Sequence, residues 1–193
     1  MRLGVYGGSF DPPHLGHLVA ASDACEVLRL DRVLWIPSAR HPLKEGCLRT
    51  PPALRLEMVR AAIAGDARFE ADDLELRREG PSYTVDTLRE LGDRHPEAAL
   101  FLLAGADLVA ELPRWHRPQE VLRRATLAVL TREGEGLPPE TGLAAVDVPV
   151  TRVDVSATEV RRRAAAGRTI RYLVPEAVRA IIEREGPYRD HSR

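Results

Sequence analysis

Arg2-Leu3-Gly4-Val5-Tyr6-Gly7-Gly8-Ser9-Phe10-Asp11-Pro12-Pro13-His14-Leu15-Gly16-His17 is the stretch on which the fold turns. Arg2–Tyr6 reads as a short buried strand, broken by Gly7-Gly8. A helix follows over Leu15–Leu30, where Leu18, Ala21, Cys25 and Leu28 recur at helical spacing. Two glycines at a strand end let the backbone pass close to a bulky anion. The helix start adds unpaired N–H groups and a positive dipole end, so the loop reads as a phosphate site. His14 and His17, three apart around Gly16, fall on one face of the first turn, and each can donate a hydrogen bond to a phosphate oxygen. The loop matches neither GxxxxGK[ST] nor GxGxxG. Metal ligation by the two histidines would need further ligands. A structural turn with two capping histidines is the bland alternative.

Working outward, strands and helices alternate. Val33–Ile36 is a strand stopped by Pro37, and residues 38–50 form a polar loop. Thr50 before Pro51 reads as an N-cap with proline in the first turn. That helix runs to about Ala64 with Leu54, Met58, Ala61 and Ala62 inward. Phe69–Leu76 alternates weakly, as a strand would. Thr84–Leu91 is helical and ends before His95-Pro96. Ala99–Ala104 is the strongest core strand. Pro118–Arg124 is a short helix, Leu127–Thr131 a strand, residues 134–142 a loop and Ala145–Val150 a strand. Ser156–Ala166 and Pro175–Glu185 are the last helices. The pattern predicts an α/β fold: a Rossmann-like, doubly wound parallel sheet with helices on both faces. It is expected to be one domain over residues 1–193, without linker or repeat. Ligands of such sheets bind at the carboxyl ends of strands, where strand order reverses.

Composition sets limits on the function. With 193 residues, 44% hydrophobic and 30% charged, the chain is long enough for a core without staples. A net charge of −1 lacks the basic surplus that wraps nucleic acid, so no nucleic-acid partner is expected. Cys25 and Cys47 fit neither a disulfide framework nor a CxxC metal pattern. No signal-peptide core and no apolar run of membrane length is present, so a cytoplasmic setting with no membrane partner is expected. A homo-oligomer is compatible with the sequence. Of 28 basic residues only Lys44 is lysine, and Gln119 is the sole side-chain amide. GC-rich codon usage explains this bias most simply; thermal adaptation is the second reading.

Four segments carry a resemblance. Gly7–His17 is similar to the GxFDPxHxGH signature of the nucleotidyltransferase superfamily. Val155-Ser156-Ala157-Thr158-Glu159-Val160-Arg161 resembles its ISSTxIR segment, with Ala157 where the family often has Ser. Pro81-Ser82-Tyr83-Thr84-Val85-Asp86-Thr87-Leu88 resembles the SxYTxDTL segment of bacterial nicotinate-nucleotide adenylyltransferases. Gly105-Ala106-Asp107 through Leu112-Pro113-Arg114-Trp115-His116 resembles their GxDxxxxLxxW segment.

The resemblance implies adenylyl transfer from ATP to nicotinate mononucleotide, giving deamido-NAD and pyrophosphate, with Mg²⁺ carried by ATP and no protein metal ligand. It implies His14 and His17 as catalytic. It places Gly7, Gly8, Ser9, Phe10, Lys44, Gly105, Asp107, Ser156, Thr158 and Arg161 at ATP, with helices 156–185 completing that site. It places Ser82, Tyr83, Thr84, Trp115 and Arg132 at the mononucleotide. Structural readings stand beside these. Ser156 and Glu159 suit a capping box. Tyr83–Thr84 and Asp107 suit helix N-caps. Trp115 suits ordinary packing as well as a platform for a cationic ring. Arg162 and Arg163 suit a solvated face. An adenylyltransferase for nicotinamide mononucleotide or phosphopantetheine, and a non-catalytic nucleotide-binding module, are the alternative functions.

Overall fold

The computed structural model describes residues 1–39, 50–132 and 145–189, with Ala110 and Arg132 described by their backbone alone. Six strands form one sheet: β1 Arg2–Gly8, β2 Arg32–Pro37, β3 Phe69–Ala71, β4 Ala99–Gly105, β5 Thr126–Arg132 and β6 Ala145–Val150. Their order is β3-β2-β1-β4-β5-β6, and every pairing is parallel. The expected α/β architecture is therefore present.

Alternation along the strands builds two cores. Leu3, Val5, Leu34, Ile36, Leu100 and Leu102 point to one face. There they meet α3 Leu74–Arg77, α4 Thr84–Arg94, α5 Ala106–Ala110 and α6 Pro118–Arg124, through Leu74, Leu88, Val109 and Val121 among others. Tyr6, Val33, Trp35, Phe101 and Leu103 point to the other face. They meet Ala21, Ala24 and Leu28 of α1 Leu15–Leu28, and Val59 and Ile63 of α2 Pro52–Ile63. A third cluster joins Met58 of α2 to Val160 of α7 Ala157–Ala165 and to Val178, Ile181 and Ile182 of α8 Glu176–Glu185, with Tyr188. The inward positions expected for α2 thus meet the C-terminal segment.

Several expectations are corrected. Phe69–Leu76 is not one strand. The Asp72 carboxylate accepts the Leu74 N–H at 2.9 Å and turns the chain into α3. The N-cap of α2 is Pro51, not Thr50, because extended ψ (144°) falls at Pro51. The first helix stops at Leu28, since Arg29 turns left-handed at φ 50°. Helix α4 runs on to Arg94, and α5 with a 3₁₀ turn at Leu112–Arg114 adds elements not expected from periodicity. The loop read at 134–142 lies outside the described residues.

Candidate active site

The sheet opens where its order reverses. Strands β1 and β4 pair as far as Val5 with Leu102. Beyond that, β1 stays with β2 to Gly8 while β4 stays with β5 to Gly105. The split leaves a cavity of about 440 Å³ at the carboxyl ends. It is the switch-point crevice in which open α/β sheets bind ligands.

Gly7, Gly8 and Ser9 wall the cavity on one side; Ser82, Tyr83, Thr84 and Trp115 wall it on the other. Thr84 opens α4, so the N-terminal end of that helix faces the cavity. Trp115 is half-buried and packs on the core while lining the cavity, so its two expected roles are compatible. Tyr83 stacks on His116 at 4.4 Å.

His14, His17, Phe10, Gly105, Asp107, Ser156, Thr158 and Arg161 do not line this cavity. Most of them lie across the glycine loop from it. His14 is the N-cap of α1, and its ring lies 3.7 Å from that of His17. Gly16 makes the pairing feasible, because a Cβ there would stand 3.2 Å from the His14 ring. The His14 backbone N–H donates to Nδ1 of His17 at 3.2 Å, which leaves the His17 proton on Nε2 when the ring is neutral. Both rings are held neutral near pH 7. Burial pushes His14 down to about 4. Burial, and then the neighbouring His14, hold His17 well below its usual range.

Helix α7 closes this side. Ser156 caps it by accepting the Glu159 N–H at 3.2 Å. The box is half-formed, because the Glu159 carboxylate turns instead to Arg162 and Arg163. Arg161 donates to the Asp11 carbonyl at 2.7 Å and to the Thr158 hydroxyl at 3.2 Å, which brings α7 onto the glycine loop. One expected donor at the start of α1 is taken: the Leu15 N–H bonds the Leu173 carbonyl at 3.0 Å.

Phe10 can serve the expected site through its main chain alone. Its ring is buried against Tyr6, Trp35 and His17, so only its backbone is left to meet a ligand. Gly8 has a packing reason too, since a Cβ there would press the Phe10 ring at 3.1 Å. Asp107 is not an N-cap. Gly105 caps α5, and Asp107 is exposed in the first turn. Its charge, after burial, raises the Tyr6 phenol. Arg132 ends β5, and Lys44 lies outside the described residues.

A cytidylyltransferase-like family model matches residues 5–163. A protein of Thermus thermophilus named "Probable nicotinate-nucleotide adenylyltransferase" is 48% identical over 189 residues, covering 98% of this chain and 100% of its own. The chain belongs to the nicotinate-nucleotide adenylyltransferase family. A Gemmatimonas aurantiaca relative of the same name is 46% identical over 201 residues, covering 100% of this chain and 95% of its own. The Plasmodium falciparum nicotinic acid mononucleotide adenylyltransferase, solved with NaAD, shares the fold at a TM-score of 0.80 and 16% identity, over 97% of each chain.

Two groups in this family member were not singled out from the sequence. Glu75 lines the cavity, buried, and accepts the Thr87 hydroxyl at 2.6 Å. Burial raises its pKa, against hydrogen bonds from Thr87 and Ser82 and the charge of Arg78. Ser82 in turn accepts the Ala39 N–H at 3.0 Å. Arg55, fully buried in α2, reaches three main-chain carbonyls. In sequence Arg55 reads as a polar position of a helix, and Glu75 as a polar position of the strand expected over Phe69–Leu76. The one available signal was Arg55 between Leu54 and Leu56, three residues before the inward Met58.

Proposed function

We propose that the chain transfers the adenylyl group of ATP to nicotinate mononucleotide, giving deamido-NAD and pyrophosphate. The observation that carries this reading is the cavity at the β1–β4 split. Aromatic rings and the start of α4 line it on one side, and the glycine loop leading to two neutral histidines lines it on the other. The acceptor fills the cavity with its pyridinium ring near Tyr83 and Trp115. Its carboxylate meets the Thr84 hydroxyl and the N–H groups of the helix end, with Ser82 shaping that wall and Arg132 nearby. ATP lies across the loop, along Gly7–Phe10, Gly105, Asp107, Ser156, Thr158, Arg161 and Lys44.

An oxygen of the acceptor phosphate attacks the α-phosphorus. The bond from that phosphorus to the bridging oxygen breaks, and its electron pair leaves on pyrophosphate. The nucleophile is already ionised, so no general base is required. Alignment and charge stabilisation do the catalysis. Neutral His14 and His17 donate N–H bonds to phosphate oxygens, and these strengthen as negative charge moves to the leaving group. Among the described residues no three His, Cys, Asp or Glu side chains converge to hold a metal. In this reading the divalent ion is Mg²⁺, and it comes with the triphosphate. The same reading places the enzyme in the cytoplasm; no helix of the described residues is long and apolar enough to cross a membrane.

Pyrophosphate release with a panel of acceptors tests the assignment. A carboxylate only accepts hydrogen bonds, whereas an amide NH₂ would point at donors. The acid mononucleotide is expected to exceed the amide in kcat/KM by about 10²-fold or more, within the range open to a rigid donor-lined site. Equal efficiency with both, or turnover of phosphopantetheine instead, would overturn it.

A further inference from the structure

Arg55 is fully buried, and its guanidinium is spent on three main-chain carbonyls. It donates to Ser9 at 2.7 Å, to Ser38 at 2.6 Å and to Thr50 at 3.2 Å. Ser9 belongs to the glycine loop, and Ser38 and Thr50 flank the 40–49 segment on its two sides. Removing a guanidinium from water is costly, and an apolar side chain would fill the same space more cheaply. What the apolar side chain could not do is fix three peptide groups at once.

The peptide it holds matters most. In a planar trans peptide the carbonyl and the following N–H point in opposite directions. Arg55 draws the Ser9 carbonyl toward α2, so the Phe10 N–H points away from it. The other side of Phe10 is fixed as well, because its ring sits among Tyr6, Trp35 and His17 at 5.2–5.5 Å between centroids. Phe10 holds φ 46°, uncommon for a residue with a side chain and sustained here by anchors on both sides. Its amide has no acceptor among the described residues. Arg161 treats the Asp11 carbonyl in the same way, at 2.7 Å. Two loop carbonyls that would repel a polyphosphate are thus turned onto arginines.

We propose that Arg55 is a positioning residue for adenylyl transfer: it holds the Ser9–Phe10 peptide so that the Phe10 amide donates to the phosphate chain of ATP. This rests on the reading of the loop as the ATP site. Arg55→Lys keeps the charge but has one nitrogen where the fork has three. Its kcat per folded active site is expected to fall about tenfold or more, a share of what losing one preorganised donor costs. The acceptor KM does not discriminate, because Ser9 and Ser38, whose carbonyls Arg55 holds, also line the cavity proposed for the acceptor. A role in stability alone would lower the melting temperature and leave kcat per folded site unchanged, and that result overturns the proposal. The wild-type protein gives a second readout. Amide hydrogen exchange at Phe10 should slow on saturation with a non-hydrolysable ATP analogue and Mg²⁺; unchanged exchange overturns the proposal whether or not the variant folds. Wild-type turnover with ATP and nicotinate mononucleotide is run alongside. Its absence would count against the proposed reaction, while the exchange measurement still tests whether the Phe10 amide meets the phosphate chain, without which Arg55 has nothing to position.

Discussion

His14 and His17 show what burial does to a familiar side chain. In water an imidazole near pH 6.5 is half charged. Here His14 is only 8% exposed and titrates near 4, with His17 held low beside it. Two cationic rings 3.7 Å apart would also repel each other. The folded state therefore refuses protons that the unfolded chain accepts. The sign follows: the stability contributed is whole above about pH 6.5 and is lost as pH falls toward about 4. For His14 that window is worth about 3 kcal/mol. The urea midpoint is expected to fall between pH 7 and pH 4.5, and to fall less in His14→Gln. In NMR titrations of the free protein the His14 ring should stay neutral through pH 6; a midpoint at 6.5 would contradict its burial. The spacing of the two histidines made them legible in sequence. Their charge state was not, because it depends on tertiary burial, which for His17 comes in part from the Phe10 and Tyr6 rings beside it.

Among the elements, three ends meet at the site: the carboxyl end of β1, the start of α1 and the start of α4. Each was legible, because glycine after an apolar run, and a polar residue before a periodic one, are local signals. The α7 start is a fourth, and it offers a clean test. Ser156→Ala removes the bond to the Glu159 N–H and should cost about 1 kcal/mol, as cap deletions do. If that helix end serves ATP, the ATP KM rises while the acceptor KM holds. Equal changes in both would make Ser156 a cap and nothing more. What the sequence hid at this scale were short elements and long reaches. Helix α3 is a single turn set by the Asp72 carboxylate, and too short for periodicity to register. Arg55 looks like a surface charge of an amphipathic helix and Glu75 like the outward residue of a strand, because their partners lie far along the chain or on its backbone.

Across the whole molecule, the C-terminal segment returns to the first loop. Tyr188 donates to the Asp11 carboxylate at 2.7 Å across 177 positions of sequence, both groups being buried. The charge of Asp11, after burial, raises the Tyr188 phenol, so the hydroxyl keeps its proton and remains a donor. Tyr188→Phe deletes the donor and leaves the packing. The expected cost is about 1–3 kcal/mol for a buried bond to a charged group. At roughly 2–4 °C per kcal/mol for a chain of this size, the melting temperature should drop by several degrees. An unchanged melting temperature would show that the bond contributes nothing net. The parallel sheet was legible from the alternation of strands and helices. The return of residues 161, 173 and 188 was not, since nothing local in a helix says which loop it will cover.

That return sets an order on assembly. By residue 150 a nascent chain on the ribosome holds every strand of the sheet, and the β1–β4 crevice can form. The glycine loop cannot yet take its final shape. The donor to the Asp11 carbonyl, the acceptor for the Leu15 N–H and the hydroxyl on the Asp11 carboxylate are still to be synthesised. Contacts so distant in sequence are also the slowest to close. The crevice proposed for the mononucleotide is thus drafted early, and the loop proposed for ATP is set last, by residues that leave the ribosome after the whole sheet.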